Sequence, residues 1–225
     1  MKPLASQNLA QRWSEELRSA EIPADPGWMN GLRERALQQF TESGLPHRKV
    51  EAWKYTPLRL LLDSEPHLTG PPAGPGSFPE PLVPDAAVLD ITDGYPSTPL
   101  PEFPAGVTVR TFQEGVGEYE DRLRRMTEQV DLSGPDRAFA ALNTAFIHQG
   151  LVIHVEEGAD AGRLLLRWTS TANGRAHFAQ SRIVILLEPH AQLELIEQYQ
   201  GDGDDGDALN VMIQADLAEG AHWRH

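Results

Sequence analysis

The sequence contains no cysteine, only three lysines, and no apolar run near the roughly 18 residues of a membrane-spanning helix. Without cysteine the chain has no disulfide, no thiolate metal ligand and no cysteine nucleophile, as is common in cytoplasmic proteins. Its first residues, Met1 to Ser6, lead into a polar segment without the apolar core of a secretory signal. These absences predict a cytoplasmic protein that does not enter a membrane.

Positive charge is also scarce and unevenly placed. The net charge is −14, yet residues 1–60 carry nine basic and seven acidic residues, whereas residues 61–225 carry ten and twenty-six. All three lysines (Lys2, Lys49 and Lys54) lie in the first part. Because phosphate binding needs clustered positive charge, this acidic body argues against nucleic acid or anionic lipid as a partner.

The last third of the chain is organised as short apolar strands separated by similar turns. Three turns share an aliphatic residue, a centre with Gly or Pro, and then Ala; they are 155–160, 187–192 and 217–222. Their Ala residues, Ala159, Ala191 and Ala221, are 32 and 30 residues apart. The predicted strands are 151–155, 164–168, 183–187, 193–199 and 211–217. A period of this length with two strands per unit is typical of a β-solenoid.

Units of this kind satisfy their backbone groups and bury their apolar faces only by stacking in parallel. The continuous apolar run 183–187 suits a strand buried on both faces. A β-sandwich is the rival prediction, since it also gives short, evenly spaced strands. The pattern therefore favours a mainly β fold, a parallel β-helix (solenoid), preceded by a small helical region.

The first 63 residues form the predicted N-terminal helical region. Residues 4–20 place Leu9, Trp13 and Leu17 on one stripe, and a second helix is predicted after Asp25, an N-cap, and Pro26. Gly44 is placed to end that helix in a left-handed conformation. Stripes this narrow cannot make a core alone, so these helices should pack on each other, on a downstream element or on a partner.

Residues 64–84 are rich in Pro and Gly and are predicted to be a linker, which leaves 85–225 as the start of the β-helix domain. Within it we expect strands at 88–91 and 107–109, a turn at Asp93-Gly94, and a charged helix over 118–129. A further helix over 136–146, capped by Asp136, should lead directly into the first repeated strand.

The most distinctive short stretch is Gly44-Leu-Pro-His-Arg-Lys-Val-Glu-Ala-Trp-Lys-Tyr-Thr-Pro-Leu58, called here the signature loop. Its candidate site residues are Arg48, Glu51, Trp53, Lys54 and Tyr55. One interpretation is that the aromatic rings anchor the helical pair while the charges are solvated. The other interpretation is that the loop is a binding surface.

The sequence nominates no catalytic, cofactor-binding or metal-binding residue. The eight histidines lack the spacings of zinc sites, and the odd spacing of His222 and His225 puts them on opposite faces of a strand. Asp202 to Asp207 resembles half of a calcium loop but lacks the closing Glu, so a solvated loop is predicted. No phosphate-binding Gly-rich loop, nucleophile elbow or His-Glu-x-x-His motif occurs.

The signature loop resembles a motif of the SufB/SufD family, and that of SufD more closely than that of SufB. The family stretch reads Gly-Leu-Pro-x-Arg-Arg-x-Glu-x-Trp-Lys-Tyr-Thr, and this chain departs from it with Lys49 at the second Arg position. Residues 138–146, followed by 150–155, resemble the family's entry into its β-helix. The likeness extends from about residue 28 to 222.

This resemblance implies a non-catalytic scaffold subunit of the SUF iron–sulfur cluster assembly complex, with a right-handed parallel β-helix. The implied partners are SufB-like and SufC-like subunits, SufC being the ATPase. The intact complex would assemble the iron–sulfur cluster, and this chain would hold no cofactor, because no cluster ligand has a counterpart here. Since the sequence ends at His225, we expect a fragment whose last coil is covered by dimerisation, that is, a possible homodimer.

Two other function classes stay open. Parallel β-helices also occur in enzymes that act on polysaccharide or acyl substrates, although no hexapeptide repeat or matched catalytic pair is present. A calcium-dependent structural solenoid is the third possibility.

Overall fold

A computed structural model of the chain describes residues 4–20, 26–72, 74, 76–171, 176–201 and 206–225, with side chains from Ser6 onward. The helices are α1 (Leu4–Ser19), α2 (Gly27–Ser43), α3 (Arg59–Ser64), α4 (Phe112–Glu118), α5 (Glu120–Glu128) and α6 (Ala138–Ala145). The strands are β1 (His67–Leu68), β2 (Ala87–Thr92), β3 (Tyr95–Pro96), β4 (Val107–Thr111), β5 (Gly150–Val155), β6 (Asp160–Thr169), β7 (His177–Leu187), β8 (Gln192–Tyr199), β9 (Ala208–Leu217) and β10 (His222–Arg224).

The strands form two five-stranded sheets, and the chain alternates between them from β5 onward. The first sheet has the order β9-β7-β5-β4, and the short strand β1 also pairs with β7, along the same edge as β5. The second sheet has the order β10-β8-β6-β2-β3. Pairings between successive repeats are parallel: β5 with β7, β7 with β9, β6 with β8, and β8 with β10. The described antiparallel pairs, β2–β3 and β4–β5, lie at the start of the sheets.

The three repeated turns lie over one another. Val155 is in register with Leu187, and Leu187 with Leu217, so the strand offsets equal the sequence periods. Backbone N–H groups of Gln192 and His222 donate to the carbonyl oxygens of Ala159 and Ala191, at 2.9 and 2.8 Å. The ladder therefore continues through the corners, where a small side chain allows the close approach.

Gly150 allows a similarly close approach at the start of β5. Its φ is +123°, and a Cβ atom there would lie 1.9 Å from the carbonyl oxygen of Arg182 on β7. Only glycine adopts this conformation without strain and leaves room for the neighbouring backbone. The pairing of β5 with β7 depends on it.

The main core lies between the two sheets and is made of alternating residues of both. Its fully buried members include Ile91, Ile153, Leu166 and Ile185. The opposite face of the first sheet is also apolar: Val152, Val184 and Leu186 pack against α2, α4 and α5 through Met29, Phe112 and Leu123. β7 is therefore covered on both faces, as its uninterrupted apolar run predicted.

The N-terminal helices pack on α6 and on the start of β7. Trp13 of α1 is fully buried, stacks on Phe40 of α2 and Phe178 of β7, and donates from Nε1 to the carbonyl oxygen of Pro66 at 2.7 Å. The expectation that these helices need a downstream surface is confirmed. Gly44 follows α2 and ends it, with the predicted positive φ (+62°), but its ψ of −173° is extended and not that of a left-handed helical residue. Its N–H donates to Phe40 O at 2.7 Å.

Several sequence predictions need correction. Asp136 lies in a 3₁₀ turn, Pro135–Arg137, and no side chain caps α6, because the chain enters that helix from this turn. The predicted helix over 118–129 is α5, and α4 before it was missed; α4 begins at a capping box formed by Thr111 and Glu114. Asp25 and residues 202–205 lie outside the described residues.

The segment predicted as a linker makes defined contacts. β1 pairs with His177 and Phe178 of β7, and the side chain of Arg167 donates to the carbonyl oxygen of Pro79 at 2.5 Å. Leu82 N–H donates to Gln198 Oε1 at 3.0 Å. Described parts of this segment therefore lie along the ends and edge of the sheets.

Replacing Trp13 with Ala should lower the free energy of unfolding by about 3–5 kcal/mol, because it leaves a cavity between α1, α2 and β7. Urea denaturation measures the loss. Tyr55→Ala is the control, since that side chain is 86% exposed and its loss should change stability by no more than about 0.5 kcal/mol. Equal losses in both variants would contradict the packing described.

Enlarging the corner residue Ala191 should also destabilise the protein. Ala191 is fully buried between two other corners, whereas Ala221 is half-buried. Ala191→Leu should cost about 1–3 kcal/mol through overpacking, and Ala221→Leu should cost clearly less. Thermal unfolding of the two variants makes the comparison, and the reverse order would show that the corners do not stack as described.

Candidate functional site

The signature loop is held at both ends by apolar residues that pack on the N-terminal helices, one buried and one half-buried. Leu45 is buried in the cluster that contains Trp13 and Phe40, and Leu58 packs at the edge of the same cluster. Between them the chain makes successive tight turns, with N–H groups of Val50 and Trp53 donating to the carbonyl oxygens of His47 and Val50 at 2.8 and 2.9 Å. The two apolar ends therefore hold a compact, outward-facing loop.

Trp53 ties this loop to α6. The indole is half-buried, its ring centroid lies 5.1 Å from that of Phe139, and its Nε1–H donates to the carbonyl oxygen of Asp136 at 3.3 Å. Trp53 therefore anchors the loop, but it does so on α6 and not within the α1–α2 pair.

The other four candidate residues point to solvent. Arg48, Glu51 and Lys54 are exposed, and Tyr55 is 86% exposed, with the Lys54 Nζ atom 5.3 Å from its ring centroid. Tyr55 is therefore not an anchor of the helices. The structure brings the five residues onto one loop, with one of them packed inward and four presented outward.

An open groove of about 540 Å³ lies beside the loop, and we call it the signature groove. Its lining residues come from the start of α1, the signature loop and α3; they are Ser6, Pro46, His47, Arg48, Lys49, Thr56, Pro57, Leu58, Arg59, Leu62 and Asp63. Pro46, Leu58 and Leu62 give it an apolar floor. The Ser6 hydroxyl is buried there and makes no hydrogen bond to any described residue.

Basic side chains surround this groove with few internal partners. Arg48 and Lys49 form no side-chain hydrogen bond or ion pair with another described residue, while Arg59 pairs with Asp63 at 3.2 Å. Residues 47–60 carry four Lys/Arg and a single carboxylate. The groove is therefore cationic in a chain that is acidic elsewhere.

A second charged cluster joins α5 to two consecutive repeats, and no sequence pattern indicates it. Arg122 donates to Glu188 and to Asp216, and His154 lies 3.0 Å from Glu188 through its Nε2 atom. Burial raises the pKa of Glu188, but the hydrogen bonds from Arg122 and His154 outweigh this effect and hold that pKa below its usual value. Because the charges are mutually paired, the cluster serves to clamp the helix to the sheet.

A third polar feature lies in an open pocket of about 470 Å³ beside β3 and β5. The Tyr95 hydroxyl lies 3.3 Å from Nε2 of His148, whose Nδ1 is 2.7 Å from the carbonyl oxygen of Phe146. Since a carbonyl only accepts, Nδ1 carries a proton, and in the neutral imidazole Nε2 then accepts from the tyrosine. Burial raises the pKa of Tyr95 to about 12, so this hydroxyl stays protonated at neutral pH.

Among the described residues, no three His, Asp or Glu side chains gather as a metal site requires. In the same part of the chain, no helix combines the length and the apolar character needed to cross a bilayer.

The structure thus defines a two-sheet protein with a helical layer that presents a cationic, aromatic loop. The family model described as the SufBD protein N-terminal region matches residues 8–69, from α1 through the signature loop to β1. This match supports the SufB/SufD family of iron–sulfur cluster assembly and does not distinguish SufD from SufB. No curated protein matches the chain.

Replacing Glu188 with Gln tests the clamp between α5 and the sheet. Because the folded pKa of Glu188 is depressed, its contribution is present above the unfolded value of about 4.3 and is lost as the pH falls through the folded value. We expect the free energy of unfolding of the variant to be about 1 kcal/mol lower than that of the unmodified protein at pH 7. This difference should decrease as the pH is lowered toward 3.

Urea denaturation between pH 3 and 7 measures this difference. Glu157→Gln, in the exposed corner one repeat earlier, is the matched control and should show no such pH dependence. A difference for Glu188→Gln that is constant over this range would contradict the ionic role.

Proposed function

We propose that this chain is a non-catalytic, SufD-like scaffold component of the SUF iron–sulfur cluster assembly system, acting in the cytoplasm. The match of residues 8–69 to the SufBD N-terminal region is the observation that carries the proposal. The signature loop supports the closer relation to SufD. The proposed partners are SufB-like and SufC-like subunits, and the cluster is the product of the whole complex, with no ligand supplied by this chain.

The proposed fold for the scaffold is a right-handed parallel β-helix. Parallel pairing of β5 with β7 and β9, and of β6 with β8 and β10, supports it, as do the stacked corners at Ala159, Ala191 and Ala221. An antiparallel sandwich would pair these strands in the opposite sense. A stack of this kind is stiff along its axis, which suits a subunit that holds other proteins at fixed positions.

Partner docking is proposed to use two surfaces. One is the outer edge of β9, which pairs with β7 along ten residues and has no other described strand beside it. Unpaired edge groups accept a further strand from any source, including a second copy of this chain in a homodimer. The other surface is the exposed part of the signature loop.

A β-helix enzyme acting on polysaccharide or acyl substrates is the alternative. The pocket beside Tyr95 and His148 favours it over other enzyme classes, since a neutral imidazole that accepts from a phenol is a usable acid–base pair. The residues that line this pocket include no carboxylate, however.

Co-purification tests the proposal. The chain is co-expressed with candidate SufB-like and SufC-like subunits of its own source, and the purified assembly is analysed for iron and acid-labile sulfide. We expect one complex that contains this chain and holds iron and sulfide in equal amounts after anaerobic reconstitution. The control is the same preparation without this chain.

Elution of the chain alone, with the same iron and sulfide content in both preparations, would reject the scaffold role. Turnover of an oligosaccharide or acyl thioester that is lost in His148→Ala would replace that role with the enzymatic alternative.

A further inference from the structure

The signature groove has the dimensions and the lining of a binding site. Its volume of about 540 Å³ falls within the range of ligand pockets, which are mainly apolar with a few polar groups at fixed places. The floor is formed by Pro46, Leu58 and Leu62, and the rim by Arg48 and Lys49. Such a lining suits an occupant with both apolar and anionic groups.

The anions that would neutralise the rim are not supplied by the described part of the chain. Arg48 and Lys49 have no carboxylate partner there, although residues 61–225 carry a net charge of −16. The single carboxylate on the groove wall, Asp63, is already paired with Arg59. The described residues therefore leave both side chains open to a carboxylate of another molecule.

Two exposed apolar side chains are next in sequence to residues that line the groove: Tyr55 precedes Thr56, and Leu60 follows Arg59. Tyr55 and Leu60 are 86% and 84% exposed, the two highest values among the large apolar side chains described, and neither lines the groove. A small ligand confined to the groove would leave both in water. An occupant long enough to cover them has the length of a peptide segment.

We propose that the signature groove docks an acidic segment of a partner protein, with apolar side chains on the floor and carboxylates on Arg48 and Lys49. Tyr55 and Leu60 extend the contact beyond the groove, and the unpartnered Ser6 hydroxyl is a further donor at its wall. This docking mode combines apolar anchors with electrostatic complementarity, which sets specificity and association rate.

Other anionic partners fit less well. The whole chain carries −14, so the long polyanionic surface of a nucleic acid or a lipid bilayer would be repelled by the rest of the molecule. A short acidic segment meets only the local positive charge. A second copy of this chain is also acidic, and the experiment below separates it from a different partner.

Site-specific photo-crosslinking tests the proposal in the full chain, expressed in its own host. p-Benzoylphenylalanine replaces Thr56, which is exposed and lines the groove, and in the control it replaces Leu82, which is 75% exposed and lies outside the groove. Mass spectrometry then identifies the crosslinked peptide. We expect the Thr56 probe, and not the Leu82 probe, to join a peptide of net negative charge with at least two large apolar residues.

Charge reversal supplies the second arm. Arg48→Glu with Lys49→Glu should lower the crosslinking yield by about tenfold or more, because attraction becomes repulsion at two positions. Arg18→Glu with Arg35→Glu makes the same change of charge on exposed residues of α1 and α2 and should leave the yield nearly unchanged. Thermal unfolding checks that both double variants keep the fold.

The outcomes are distinct. A crosslink to a neutral or basic peptide, to a second copy of this chain, to nucleic acid or to lipid would overturn the proposal, as would no product or an equal loss in both double variants. The inference does not rest on the assembly function. If the acidic peptide belongs to a protein unrelated to SufB or SufC, the result supports the docking mode and rejects the proposed partners.

Discussion

The fold depends on the backbone pairing of β7. This eleven-residue strand pairs with β9 along one edge and with β1 and β5 along the other. Unpaired backbone groups in an apolar interior cost free energy, so a strand buried on both faces needs both edges occupied. Ile183 and Ile185 then point into the space between the sheets, while Val184 and Leu186 require cover from the helices. The layered architecture follows from this one strand.

The helical layer is held to the first sheet by apolar packing, by the Arg122 cluster and by the buried guanidinium of Arg182. Arg182 of β7 is fully buried and donates to Asn143 and Thr144 of α6 and to Gln214 of β9, all neutral oxygens. Burial lowers its pKa, since no carboxylate among the described residues offsets the loss of water. Arg182 lies near the C-terminal end of α6, where the helix dipole favours a positive charge. Because α6 also receives Trp53, the signature loop is positioned by the same sheet that holds Arg182.

The sequence predicted most of the local structure because the relevant signals are local. The predicted strands, the stripe of Leu9, Trp13 and Leu17, and the end of the second helix before Gly44 appear in the structure, whereas the short strands β1 and β3 were not predicted. Corner spacing even predicted the register of β5, β7 and β9, since a repeat fixes which residues stack. The cluster of His154, Glu188 and Arg122 could not be predicted. His154 and Arg122 lie 34 and 66 residues before Glu188 in the chain, and only the folded structure brings the three together.

The same distinction, between signals local to the sequence and contacts made only in the folded chain, applies to the candidate site. By itself, the sequence determined that a cationic, aromatic loop follows the second helix, because residue type and order are enough to define a motif and its charge. Only the tertiary structure decided which residues of that loop are presented: Trp53 turns inward to Phe139, whereas Tyr55, two residues later, stays in water. The reason is physical, since exposure depends on which distant surface lies beneath each side chain, and that surface exists only when α6 packs on the sheet.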